Sequence, residues 1–154
     1  GYDVAVFDID HDGANDVILG RAAGTFVWMN EASPVFCQED LGYGGPGPAT
    51  LSVCGPALES GKSATLLLEN ALPLAPAILA VGFRFDPTPF AGGIIVPVPP
   101  FLTVDLTTDA TGQVSLTVPG GLGPFEAYAQ MGVVDPTQPG GYQISNAVLI
   151  EQLP

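Results

Sequence analysis

The chain has 154 residues, with 16 Asp and Glu against three basic residues and a net charge of −13. That balance excludes nucleic acid as a partner, because neutralising phosphate needs clustered Lys and Arg, and it disfavours anionic membrane surfaces. The most apolar run, 66–85, is broken by Glu69, Asn70, Pro73 and Pro76, so no helix crosses a bilayer, and the length suits one domain or one domain with an appendage.

The chain opens with β-forming residues, Tyr2-Asp3-Val4-Ala5-Val6-Phe7, and runs into Asp8–Asp16, DIDHDGAND. Carboxylates at Asp8, Asp10, Asp12 and Asp16 repel one another in water. A hard divalent cation reverses the sign, and Ca²⁺ accepts six to eight oxygens with tolerant geometry, whereas Mg²⁺ rarely uses an all-protein cage. Gly13 permits the sharp turn, and the Ala14 carbonyl would complete the shell. The expected cofactor is therefore calcium, on Asp8, Asp10, Asp12, Ala14 and Asp16. An EF-hand is excluded, since the twelfth loop position is Leu19 rather than Glu, and Val17-Ile18-Leu19 is a strand, not a helix. A bare acidic hairpin turn is the alternative.

A turn at Arg21-Ala22-Ala23-Gly24 and a strand at Thr25-Phe26-Val27-Trp28-Met29 follow. The whole stretch DVAVFDIDHDGANDVILGRAAGTFVWMNE resembles an FG-GAP or VCBS repeat, the blade unit of integrin-α-type β-propellers. The resemblance covers about residues 1–32. It implies the same five calcium ligands. Such repeats come in tandem, and here there is one. The strands Val4–Phe7 and Phe26–Met29 are apolar on both faces, as strands between two layers are. Trp28 reads as core.

Residues 33–48 carry Pro34, Gly42, Gly44, Gly45, Pro46, Gly47 and Pro48 and read as a linker. The two cysteines, Cys37 and Cys54, are 17 positions apart. With no metal-type partner near either, the expectation is a disulfide in an oxidising compartment, the alternative being two buried thiols.

From residue 49 onward short strands alternate with turns. Expected strands are 49–53, 63–70, 77–85, 93–98, 101–107, 113–118, 125–134 and 142–152. Ala64, Leu66 and Leu68 oppose Thr65 and Glu69, Leu102, Val104 and Leu106 oppose Thr103, Asp105 and Thr107, and Val114, Leu116 and Val118 oppose Ser115 and Thr117, so one face is buried and one wet. The proline run Pro97, Pro99 and Pro100 belongs on an edge. The expected fold is all-β, with a calcium-loop hairpin segment followed by an immunoglobulin-like antiparallel sandwich over 49–154. The phrases ENALPLAPAILAVGF, DATGQVSLTVP and ISNAVLIEQLP look similar to C-terminal sandwich modules of large secreted bacterial proteins. That resemblance is diffuse, and it implies an extracellular module without catalytic residues.

Other chemistry is sparse. His11, the only histidine, lies inside the acidic loop, so Ser–His, Cys–His and histidine–zinc sites are excluded. Asp86, Asp109 and Asp135 sit beside Pro or in turns, where aspartate serves the backbone. No enzyme is expected. Trp28, Tyr2, Tyr43, Tyr128 and Tyr142 could stack on a glycan, and Ser33, Thr88 and Thr137 could carry O-glycans. With no initiator Met or apolar leader, the chain reads as a mature or trimmed product. The expected protein is an extracellular or cell-surface structural subunit that assembles as a homo-oligomer or polymer through its N-terminal strands. The alternative is a C-terminal adhesion, carbohydrate-binding or sorting module of a larger secreted protein.

Overall fold

The computed structural model of the chain describes residues 2–9, 15–30 and 36–154. Two compact units result, Gly1–Pro34 and Val35–Pro154. No helix occurs among the described residues.

The N-terminal unit is a three-stranded antiparallel sheet in the order β1 (Tyr2–Phe7), β2 (Asp16–Arg21), β3 (Gly24–Trp28). It therefore has one strand more than a hairpin. Register aligns Val4, Leu19 and Phe26 in one cross-strand row and Val6, Val17 and Trp28 in the next. Side chains alternate along a strand, so both rows share a face. Ala5, Ile18 and Val27 align on the opposite face. Trp28, expected in a core, is 55% exposed, and Val4 is 62% exposed. The pattern that suggested burial is present on both faces, but the described residues of this unit form no layer over either.

The C-terminal unit adds β4 (Phe36–Cys37), β5 (Glu39–Gly42), β6 (Thr50–Gly55), β7 (Ser63–Glu69), β8 (Pro76–Gly82), β9 (Thr88–Phe90), β10 (Gly93–Ile95), β11 (Leu102–Thr107), β12 (Val114–Pro119), β13 (Phe125–Val134), β14 (Tyr142–Ile144) and β15 (Ala147–Gln152). One sheet runs β12-β7-β6-β4. The other runs β11-β8-β13-β15-β5, with β14 also on β13, and β9 and β10 form a separate hairpin. Leu51, Val53, Leu66, Leu68 and Val114 from the first sheet meet Leu79, Ala129, Met131, Val133, Val148 and Ile150 from the second in one buried cluster. This is a β-sandwich; of the residues that alternation set inward, Ala64, Leu66, Leu68 and Val114 are buried, Val104, Leu106, Leu116 and Val118 are partly so, and Leu102 is 50% exposed.

Residues 33–48, expected as a linker, supply strands β4 and β5. The chain switches sheets at Gln38, whose N–H donates to the Val53 carbonyl (2.8 Å) while its Oε1 accepts from Glu151 N–H (2.9 Å). Strands of two and four residues have too few positions to show alternation against the surrounding Gly and Pro. Gly44 is also required. It has φ 80°, and a Cβ there would overlap the Ser145 carbonyl. The cysteines face each other across β4 and β6 and form the disulfide Cys37–Cys54.

The expected strand 142–152 is two strands. At the break, Ser145 Oγ accepts from Met131 N–H (3.0 Å), and Asn146 forms a two-way pair with the Leu51 backbone, accepting from its N–H (2.7 Å) and donating to its carbonyl (2.8 Å). The strand is interrupted so that one side chain can tie the two sheets together. The proline run does not form an edge strand, because β10 ends at Ile95. Gln130, buried on β13, accepts from Val96 N–H and donates to the Ile94 and Ser145 carbonyls, all within 2.8–2.9 Å. One side chain thus supplies the bonds that a sheet ladder would otherwise make there.

Candidate metal centre

The acidic loop closes the β1–β2 hairpin. Register places Phe7 opposite Asp16, so Asp8 and Asp16 stand at the two ends of the loop. Asp10, Asp12 and Ala14, three of the five expected ligands, lie outside the described residues, as does His11.

Asp16 is 1% exposed. Its Oδ2 accepts from Ile9 N–H at 2.8 Å, and its Oδ1 accepts from Asn30 N–H at 2.7 Å. One carboxylate therefore clamps the loop's first turn to the residue that follows Met29. An ionised carboxylate has about four acceptor positions, and these two amides occupy two of them. A buried carboxylate held by two amides, at the mouth of a loop with three more aspartates, suits a hard cation that takes oxygen donors. Asp8 is half-buried at the other end. Among the described residues no group of three or more His, Cys, Asp or Glu side chains is gathered to hold a metal. Were calcium bound, Asp8 and Asp16 would hold it from the two ends of the loop, and it would neutralise the charge there.

Two other aspartates are strongly partnered, and both serve turns. Asp109 Oδ1 accepts from Thr111 Oγ1, Thr111 N–H and Gln113 N–H at 2.7–2.9 Å, which lowers its pKa. Asp135, 2% exposed, accepts from Thr137 Oγ1 (2.7 Å), Gln143 Nε2 (2.7 Å) and Thr137 N–H (2.9 Å). The Thr137 hydroxyl bond foremost, then Gln143, bring its pKa down to about 2. A carboxyl depressed in the fold adds stability above its unfolded pKa of about 4, and that stability is lost as pH falls through the folded value. The melting temperature is therefore expected to fall between pH 4 and pH 2 less steeply in Asp135→Ala than in the parent chain. Parallel slopes in calorimetry would show that Asp135 contributes nothing to acid sensitivity.

Aromatic side chains gather on both units. In the N-terminal sheet, Phe26 stacks on Trp28 with ring centroids 6.2 Å apart, and the Arg21 guanidinium lies 4.1 Å from the Phe26 centroid. On the sandwich, Tyr43, Phe85 and Tyr128 form a row with successive centroids 5.7 and 5.6 Å apart. Phe85 was not among the glycan candidates. Neighbouring rings on three separate segments leave no local sequence signal.

Comparison with family models, curated proteins and solved structures gives no significant match.

Proposed function

We propose that this chain is an extracellular, calcium-binding structural protein whose N-terminal sheet is an assembly element. The observation that carries the reading is the double-sided apolar exposure of that sheet. Val4, Val6 and Trp28 are more than half exposed on one face, and Val27 is 51% and Phe7 49% exposed on the other. Exposed apolar area of this kind marks an interaction surface, and strands apolar on both sides belong between two layers. In an FG-GAP or VCBS repeat, which residues 1–32 resemble in sequence, the adjoining blades supply those layers. Here a second copy would supply them. A contact between the N-terminal sheet of one copy and the sandwich of the next is head-to-tail and closes into a ring or runs on as a filament.

The disulfide fits an oxidising compartment, and no helix among the described residues is long and apolar enough to cross a membrane. The strand order β12-β7-β6 facing β11-β8-β13-β15 is read as immunoglobulin-like, because the chain crosses between sheets after β7, β11 and β12. Sedimentation velocity tests assembly. Species larger than a monomer should grow with protein concentration and calcium, and Val6→Asp with Val27→Asp should return the chain to a monomer. A parent chain that stays monomeric throughout overturns the reading.

The row Tyr43–Phe85–Tyr128, with Tyr43 and Phe85 exposed and Tyr128 half-buried, favours a second reading, a carbohydrate-binding or adhesion module of a larger secreted protein, because flat rings stack on sugar faces. Glycan binding that Phe85→Ala removes, in a chain that does not assemble, would select it.

A further inference from the structure

A sheet is open to another chain at its edge strands, whose outer N–H and C=O groups have no ladder partner. The described residues form three sheets of three or more strands. Their edges are β1 and β3 in the N-terminal sheet, β12 and β4 in one sandwich sheet, and β11 and β5 in the other. Carboxylates mark most of these edges. β1 carries Asp3, β11 carries Asp105, and β5 carries Glu39 and Asp40. β4 has two residues and is held by the disulfide. Among edge strands of four or more residues, only β3 (GTFVW) and β12 (VSLTVP) have no charged side chain.

Each copy has a net charge of −13, so two copies repel unless they meet through surfaces that lack carboxylates. Like charges facing each other across a strand pair are destabilising, which disfavours pairing through β1, β5 or β11. β12 also lacks the devices that blunt an edge. Its register with β7 runs from Val114 to Pro119 without a bulge, and its one proline is the last residue.

The side of the sandwich at β12 is incompletely covered. Leu116 and Val118 on β12, and Val104 and Leu106 on β11, pack against the core but are only partly buried, and Leu102 is 50% exposed. Leu102 and Val118 line one gap between the two sheets, so both edges lie on the same side. A second β12 would bring no exposed apolar side chain there, since its exposed residues are Ser115, Thr117 and Pro119. β3 would bring Phe26 and Trp28, 39% and 55% exposed on one face. That face has no carboxylate in β1, β2 or β3. Its one charged side chain is Arg21, over the Phe26 ring, a cation that a strongly acidic copy attracts.

We propose that β3 of one copy pairs with β12 of the next, extending the sheet β4-β6-β7-β12 by β3, β2 and β1 and turning Phe26 and Trp28 over Leu102. This names the surfaces that meet in the assembly proposed above, and it rests on that reading. Backbone hydrogen bonds between the two strands supply the affinity. β3 and β12 are different strands of one chain, so the contact is head-to-tail, and each added copy presents a free edge to a further one.

The test uses the full chain in two blocked forms, followed by sedimentation velocity. Ser115→Glu with Thr117→Glu charges the β12 edge, and Thr25→Glu with Val27→Glu charges the β3 edge. Each should raise the concentration at which half the chain is assembled by about tenfold or more. Thr103→Glu with Thr107→Glu on β11 adds the same charge and should leave that concentration unchanged; an equal shift there would show general repulsion and overturn the pairing. At a concentration where each blocked form alone is monomeric, an equal mixture of the two should give a species of two chains and none larger, because one intact β3 and one intact β12 remain. Hydrogen exchange of the parent chain below and above its assembly concentration should show protection gained over 24–28 and 114–118 together. That measurement carries the test if melting curves show a blocked form to be unfolded. Protection gained elsewhere, or a mixture that stays monomeric with both forms folded, overturns this pairing and leaves the assembly reading standing. Protection over 114–118 without 24–28 would make β12 pair with β12 and overturns it too. A parent chain that is monomeric at every concentration overturns both.

Discussion

Replacing Asp16 with alanine is expected to open the N-terminal sheet while leaving the sandwich folded. The carboxylate accepts from the amides of Ile9 and Asn30, and the residue is 1% exposed. Removing it strands two donors, each costing about 1–3 kcal/mol if it stays buried. A small sheet with both faces apolar and exposed has little packing with which to absorb that loss. Hydrogen exchange followed by mass spectrometry should show the amides of 15–30 exchanging far faster in the variant, with those of β7, β8 and β13 unchanged. Calcium enters as a second arm. A ligand at 100 times its Kd stabilises the state that binds it by about 2.7 kcal/mol. If the aspartates hold calcium, chelator should accelerate exchange over 15–30 in the parent chain, and Asp16→Ala should no longer respond. If chelator and added calcium leave the parent chain's exchange unchanged while Asp16→Ala still opens the sheet, Asp16 is a clamp for the turn alone and the calcium reading fails.

The second large effect is expected from the disulfide. Cys37 and Cys54 face each other across β4 and β6 and close a loop of separation 17. On the chain-entropy account such a closure stabilises by about 3 kcal/mol. For a domain of this size that is a fall of about 10 °C in melting temperature on reduction or in Cys54→Ala. The loss should be uneven. β4 has only two residues and lies at the sheet edge, so it should detach first. The bond from Gln38 N–H to the Val53 carbonyl should go with it. Calorimetry gives the size of the effect, and exchange at Gln38 gives its place. An unchanged melting temperature after full reduction would show that packing alone holds this edge.

Sedimentation reads the N-terminal sheet, whereas the acid melt reads the turn after β13.

Residue pattern alone determined much of this protein. Alternation in β7 and β12 is a local property of strands with one wet face, so the all-β sandwich was legible from it. The aspartate spacing marked the loop, with Asp16 as one of its four carboxylates, and two cysteines without other partners marked the bridge. Tertiary structure alone decided the rest, because it depends on residues far apart in the chain. Asp16 clamps Asn30 only once the β2–β3 hairpin has brought that amide back beside the loop. β4 and β5 are strands because Gln38 reaches Glu151, 113 positions away, and Cys37 reaches Cys54. The break between β14 and β15 exists because Asn146 pairs with Leu51, 95 positions earlier. Exposure of Trp28 is likewise a property of which surfaces meet. A strand's sequence specifies which side chains share a face, but whether that face is covered is set by the layer opposite, and hydrogen bonds and packing across such distances form only when the whole chain has folded.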